Sequence, residues 1–505
     1  MPQLDLADFQ SGLLQAVEAG CRVAAYFGHL PGAAPSTTVT SETSAPAGGV
    51  AIELYVVLAD DAAARLHVAR TRVTGATFPA LTPRCPQVHL FEREIAEQFG
   101  LRPEGHPWLK PVRYRHAWVN GRDGFGRVPG APILPGGGDF YRVAGPAVHE
   151  VAVGPVHAGV IEPGHFRFQC YGEEVLHLEI ALGYQHRGVE EALVGGPTPR
   201  SIHFAETLAG DTSVAHATAF CQVLEALAGC QKPARAQMLR AVGLELERLA
   251  NHVGDLGALA GDVGFLPTAS FCGRIRGEFL NLTAVLCGSR FGRGLIRPGG
   301  VGFDLESAVI TDLLAKLDVA ARDTQQAVNL LWDTSSVMAR FEGTGILPQA
   351  IARELGLVGP ASRASGLARD ARRDQPSGLF RFAQIPVSTW NSGDVFARAF
   401  VRWMEIQQSV AFVRNQLQSP PQGEVRVAIG PPAPNRLAVS LIEGWRGELC
   451  HVAITGADGR FVRYKVVDPS FRNWSGLAYV LRGQEISDFP LCNKSFNLSY
   501  CGHDL

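Results

Sequence analysis

The hydrophobic pattern along this chain changes period several times. Leu13, Leu14, Val17 and Val23 recur at helical spacing in the first thirty residues. The loop-like stretch Pro31 to Gly49 is followed by Val50 to Leu58, an apolar run of strand length buried on at least one face. A second helical stretch covers Phe91 to Phe99. Asn120 to Gly138 is dense in Gly and Pro and reads as a linker. Beyond it the period becomes two: Phe166 to Tyr171 alternates, Gly172-Glu173 turns, and Val175 to Ile180 alternates again, which predicts a hairpin. Long helical patterns follow. In Arg240 to Leu259, Val242, Leu246, Leu249, Val253 and Leu256 form a core face, while Glu245, Arg248, His252 and Asp255 share another stripe. Leu305 to Phe341 and Val395 to Leu417 also read as helices. Strands are predicted at Val425–Ile429, Leu437–Ile442, Glu448–Ile454 and Phe461–Val467, the last after an Ala457-Asp458-Gly459 turn.

Composition narrows the class. A chain of 505 residues exceeds one ordinary core, so two or more domains are expected. Hydrophobic content of 46% with 19% charged residues fits a globular protein rather than a disordered one. A net charge of −2 without a polybasic segment argues against nucleic-acid binding. No apolar run reaches the roughly 20 residues needed to cross a bilayer, and no charged-then-apolar leader is expected. The ten cysteines are scattered and form no CxxC pair, so neither a zinc site nor an iron–sulfur cluster is indicated, and buried free thiols are expected. Gly136-Gly137-Gly138 is not a dinucleotide fingerprint, and no GxGxxG joins a strand to a helix, so NAD(H) chemistry belongs to other chains of an assembly if it occurs at all.

Phe91-Glu92-Arg93-Glu94-Ile95-Ala96-Glu97-Gln98-Phe99-Gly100, with Glu104-Gly105-His106-Pro107-Trp108-Leu109 after it, resembles the 30 kDa subunit of respiratory NADH dehydrogenase (complex I). Taken alone, the Glu92–Arg93–Glu94 cluster reads as a salt-bridged surface and His106 as a turn residue. From about residue 150 the chain resembles the complex I 49 kDa subunit and the large subunit of group 4 energy-converting [NiFe] hydrogenases. The blocks are Gly154-Pro155-Val156-His157, Ile161-Glu162-Pro163-Gly164-His165-Phe166, His186-Arg187-Gly188-Val189-Glu190, Glu245 to His252, and Arg297-Pro298-Gly299-Gly300. They continue with Gly359 to Gly366, Gly393-Asp394-Val395, Glu443-Gly444-Trp445-Arg446 and Asp468-Pro469-Ser470-Phe471. The resemblance implies an α+β protein: a small α/β domain at 1–119, a linker at 120–149, and at 150–505 a mainly helical hydrogenase-like domain with peripheral strands.

In that family two CxxC pairs hold nickel and iron. Their counterparts here are Ala209, Thr212, Ser470 and Asn473, none of which is a thiol. Hard, neutral hydroxyl and amide groups are poor ligands for such a centre, so an active NiFe hydrogenase is not expected. Glu162 falls where hydrogenases keep a proton-transfer glutamate and complex I a quinone-binding histidine. A carboxyl among apolar groups could shuttle protons, and a solvated loop carboxylate stays open beside that reading. His157 and His216 are catalytic candidates, with His165 a further alternative, and a satisfied core histidine competes for His216. Gly210, Thr212 and Ser470 are candidates for lining a cavity, Gly210 where complex I places a quinone-binding tyrosine. Glu190 is a weak magnesium candidate, set against a salt bridge with Arg187. Arg297 and the Arg363–Asp370–Arg372 group read as structural or interfacial.

The resemblance implies an oxidoreductase subunit in a membrane-associated, complex I-like assembly. It would be peripheral on the cytoplasmic face of a bacterial inner membrane. Its partners would be a small iron–sulfur subunit that carries the cluster and antiporter-like membrane subunits, and the chain would line a quinone- or proton-handling cavity. A scaffold or coupling subunit with no chemistry of its own stands as the alternative.

Overall fold

The computed structural model describes residues 1–32, 50–128, 131–157 and 162–505. Most of the Pro31 to Gly49 loop, and Ile161 of the Ile-Glu-Pro-Gly-His block, therefore lie outside the described residues.

The N-terminal layer begins with helix Leu6–Glu18, capped by the Asp5 carboxylate, which accepts the Asp8 N–H at 2.8 Å. Phe9, Leu13 and Leu14 form its buried face. The helix stops before Gly20 (φ +103°), so Val23 lies in strand Arg22–His29 and not in the helix its spacing suggested. That strand, Ile52–Asp60 and Arg65–Val73 form an antiparallel sheet, with the short strand Gln3–Leu4 added in parallel at the edge. All eight residues of Arg22–His29 are buried.

Helix His89–Phe99 gives the clearest correction. Glu92, Arg93 and Glu94 are 0%, 7% and 0% exposed, so the cluster is not a surface. Glu92 accepts the N–H groups of Leu81 and Thr82 and the Thr82 hydroxyl. Glu94 meets Arg113 and Lys465. Glu97 accepts the Val112 and Arg113 N–H groups. These three carboxylates are matched by groups brought from elsewhere in the chain, which is how a polar helix can be buried. The helix ends at Gly100 (φ +62°), where a side chain would run into Arg122. His106 is a turn residue as expected: its Nδ1 accepts the Trp108 N–H, so Nε2–H donates to the His89 carbonyl.

Two antiparallel three-stranded sheets frame the helical body. One holds Val148–Val153, His165–Tyr171 and Glu174–Ala181, and includes the expected hairpin. The other is the meander Leu437–Gly444, Gly447–Thr455, Phe461–Val467. The expected strand at 425–429 is no strand. Its backbone only bridges the turn near Gly300, with Val301 N–H donating to the Val425 carbonyl and Val427 N–H to that of Gly299. Helix Ala234–Asp262 runs through the centre, packed by Leu266–Cys287 and Val395–Gln418. The pattern read as one helix over 305–341 is two, Ser307–Trp332 and Ser335–Phe341. Among the described residues no helix is long and apolar enough to cross a membrane.

Candidate functional site

Three loops meet beside the N-terminus of helix Ser213–Leu227: the loop carrying Ala209 to Thr212, the start of helix Pro469–Val480, and the C-terminal segment around Ser499 to Cys501. Asp468 caps the Pro469–Val480 helix, accepting the Ser470 N–H at 2.7 Å.

The four positions that the resemblance equates with metal ligands are all buried, and three are committed to hydrogen bonds. Thr212 Oγ1 lies 3.0 Å from Asp211 Oδ1 and accepts from Trp445 Nε1 at 3.1 Å and Arg446 Nη1 at 3.2 Å. Ser470 Oγ accepts the Ser499 N–H at 2.9 Å. The Asn473 amide is locked on Val358, accepting its N–H at 3.1 Å and donating to its carbonyl at 3.0 Å. Ala209 offers a methyl group. Three donor groups turned to the protein and one methyl do not match a quartet of thiolates. Among the described residues no group of three or more His, Cys, Asp or Glu side chains is placed to hold a metal ion. Glu190 pairs with Arg463 (2.8 Å) and Lys465 (3.0 Å). Arg187 instead donates to the Thr207 and Leu208 carbonyls, so the expected Arg187 partnership is wrong.

Beside these loops runs a thread of buried polar side chains. Asp468 Oδ2 is 3.1 Å from His216 Nε2, His216 Nδ1 is 3.0 Å from His451 Nε2, and His451 Nδ1 is 2.9 Å from the Tyr464 hydroxyl. His216 is a satisfied core histidine, with both ring nitrogens engaged. Every donor can point the same way: Tyr464 O–H to His451, His451 Nε2–H to His216, His216 Nε2–H to Asp468. Burial, reinforced by His216, drives the His451 imidazole well below its ordinary range. Burial raises Asp468, but the His216 hydrogen bond and charge, Arg446 and the Ser470 N–H outweigh it and hold the carboxyl low. Above the thread Arg446 clamps Asp211 with two bonds of 2.6 and 2.8 Å and stacks 3.9 Å over Trp445. Burial opposes the ionised Asp211, and Arg446 again overrides it.

Glu162 reaches the same place. It is half-buried, and its Oε2 accepts the Cys501 N–H at 2.9 Å. Cys501 Sγ lies 3.4 Å from Ser499 Oγ, and its thiol is pushed up to about 11 by burial and then by Glu162. Gly210 is exposed at the rim, where a side chain would meet nothing within 4 Å. His157 packs 5.6 Å from Phe166 and is not brought to the thread. His165 Nδ1 contacts the Gly154 carbonyl at 3.2 Å, and its Nε2 accepts from Arg167.

The His451 and Tyr464 contributions were not visible in the sequence. The available signal was that both fall on expected strands, Glu448–Ile454 and Phe461–Val467.

A second polar region surrounds Glu405. Arg363 (2.8 Å), His252 (2.8 Å) and Arg248 (3.3 Å) share its carboxylate. Arg363 also holds Glu443 (2.7 Å), and Arg372 holds Asp370 (2.6 Å) and Glu245 (3.0 Å). The Arg363–Asp370–Arg372 group is thus internal and structural, as is Arg297, which pairs with Glu206 at 3.0 Å.

The chain is similar in sequence to known proteins. Residues 262–431 match the model for the respiratory-chain NADH dehydrogenase 49 Kd subunit, and 36–124 match that for its 30 Kd subunit. Formate hydrogenlyase subunit 5 of Escherichia coli is 32% identical over 434 residues, 84% of this chain and 76% of the relative. The carbon monoxide-induced hydrogenase of Rhodospirillum rubrum is 31% identical over 70% of this chain and 98% of its own length. An NADH-quinone oxidoreductase subunit of Dehalococcoides mccartyi is 30% identical over 66% of this chain and 92% of the relative.

Proposed function

Because the chain belongs to the family that joins complex I 30 and 49 kDa subunits with the subunits of formate hydrogenlyase and related hydrogenases, we propose that it is a proton-handling subunit of a membrane-associated, complex I-like electron-transfer assembly, without a nickel–iron centre of its own. Its companions are a small iron–sulfur subunit, which carries the nearest cluster, and antiporter-like membrane subunits. It lies peripherally on the cytoplasmic face of the membrane. The observation that carries this reading is the Asp468–His216–His451–Tyr464 thread.

The thread takes up one proton without moving a heavy atom. In the opposite arrangement His216 Nδ1–H donates to His451 Nε2 and His451 Nδ1–H to the Tyr464 oxygen, which leaves His216 Nε2 without hydrogen. One proton arriving from the Asp468 side adds there and makes His216 doubly protonated against Asp468. The Asp468 carboxylate neutralises the imidazolium that forms. Glu162, half-buried and in contact with Cys501, is the group through which protons enter. Protons are favoured over a quinone at this point because Thr212, Ser470 and Asn473 have spent their polar atoms on the protein.

The test is redox-linked proton uptake by the purified assembly reduced with viologen. Asp468→Asn and Glu162→Gln should each lower the uptake rate at least about tenfold while subunit composition is unchanged. Unchanged uptake in both variants would refute the proton role and leave the scaffold reading, which the fully paired lattice around Glu405 favours. Stoichiometric nickel bound to this chain would overturn the non-metal assignment.

A further inference from the structure

A cavity of about 530 Å³ lies away from the thread, in the seam between the N-terminal layer and the helical body. It is within the size range that small ligands fill. One wall is helix His89–Phe99 with the segment after Gly105. The other is the end of strand Glu174–Ala181 and helix Pro469–Val480. Leu90, Trp108, Leu182, Ile351 and Trp474 make much of the lining apolar.

Arg93 stands on this wall and is only 7% exposed. Its Nε donates to the Lys110 carbonyl at 2.7 Å and its Nη2 to that of Pro111 at 2.8 Å, and the guanidinium lies 4.6 Å over the Trp108 ring. No carboxylate among the described residues forms an ion pair with it. The nearby acids are committed elsewhere. Glu97 accepts backbone N–H groups of the 112–115 segment, and Glu179 is held by Lys110 and by the Tyr141 N–H. Burial alone lowers the guanidinium to about 10, and it pushes the neighbouring His89 and His106 down to about 3 and about 4, so both imidazoles are neutral. This buried cation beside open space is held by two carbonyls and a ring face but forms no ion pair with a carboxylate. The Arg93 cluster that the sequence presented as a surface thus lines a ligand-sized space with a buried guanidinium that forms no ion pair.

We propose that this seam binds a small amphipathic monocarboxylate, its head on Arg93 and its apolar body against Leu90, Leu182, Ile351 and Trp474. The buried, unpaired Arg93 guanidinium selects a carboxylate head, and the apolar walls exclude a compact hydrophilic anion. The aliphatic or aromatic origin of the acid is separated by the choice of probe.

The experiment is calorimetric titration of the full chain with decanoate, with 1-naphthoate and with neutral decan-1-ol. One acid should bind saturably at a single site, at least about tenfold more tightly than the alcohol, which is about 1.4 kcal/mol for the head group. Stronger binding of decanoate identifies a lipid-derived acid, and of 1-naphthoate an aromatic one. Arg93→Gln should weaken acid binding at least about tenfold and leave the alcohol unaffected. Ala478→Trp, on the opposite wall, should abolish binding of both classes by filling the space, and it decides the matter if Arg93→Gln fails to fold. The proposal is overturned if neither acid saturates, if acid and alcohol bind alike, or if a folded variant of either kind binds as the parent does.

Discussion

The lattice around Glu405 and the thread below Asp468 are both buried and polar, yet they are built on opposite principles. The lattice sets three guanidiniums, Arg248, Arg363 and Arg372, against four carboxylates, Glu245, Asp370, Glu405 and Glu443. The odd carboxyl is Glu443, which burial and then Asp370 push up to about 7. Each charge there is fixed by another, so moving one leaves a partner stranded. The thread has one carboxylate and two imidazoles in line, and its hydrogen bonds can reverse polarity in place. Buried charge pairs specify a shape, whereas buried neutral donors and acceptors can exchange protons.

The hardest way to break that comparison is to remove the lattice hub. Glu405→Ala takes one carboxylate partner from each of Arg363 and Arg248 in the core and should cost about 3–5 kcal/mol, read as a lowered denaturant midpoint or melting temperature. A loss below about 1 kcal/mol would mean that water or neighbouring carboxylates replace Glu405 freely.

A middle-sized effect lies in the pH dependence of Glu443. Its folded value of about 7 lies above the ordinary 4.5, so the folded chain binds the proton more tightly than the unfolded one. The resulting stabilisation is complete below about pH 4.5 and is lost as the pH rises through 7. Glu443→Gln fixes the protonated form in kind. The stability of the variant relative to the parent should therefore rise from pH 5 to pH 8, measured by denaturation at each pH. A difference that is flat with pH would place the lattice proton elsewhere.

The smallest effect sharpens the other side. Tyr464→Phe removes one neutral hydrogen bond from the thread and should cost about 1 kcal/mol, several-fold less than Glu405→Ala in the same assay. A loss as large as that of the lattice variant would mean the thread is a structural strut.

Much of the architecture was legible before the structure. Periodicity gave the central helix, the hairpin and the closing meander, because alternation and helical spacing are local properties of burial. The loops of Glu162, Gly210 and Ser470 were expected to converge, and Cys501 and Ser499 do link Glu162 to Ser470. The thread was legible only in part. His216 stood out beside the loop that carries Ala209 and Thr212, but His451 and Tyr464 did not, since a histidine or tyrosine on an alternating strand carries no mark of its partner.

By itself the sequence determined most of the order of elements, the family motifs and the absence of cysteine at positions 209, 212, 470 and 473, all of which are written in residue type and spacing. Only the tertiary structure decided that Glu92, Arg93 and Glu94 are buried, that Glu190 belongs to Arg463 and Lys465, and that the Arg93 guanidinium lies beside a cavity without an ion pair. Those outcomes depend on which distant segment covers a side chain, and electrostatic partnership acts through space, at distances that sequence separation does not encode.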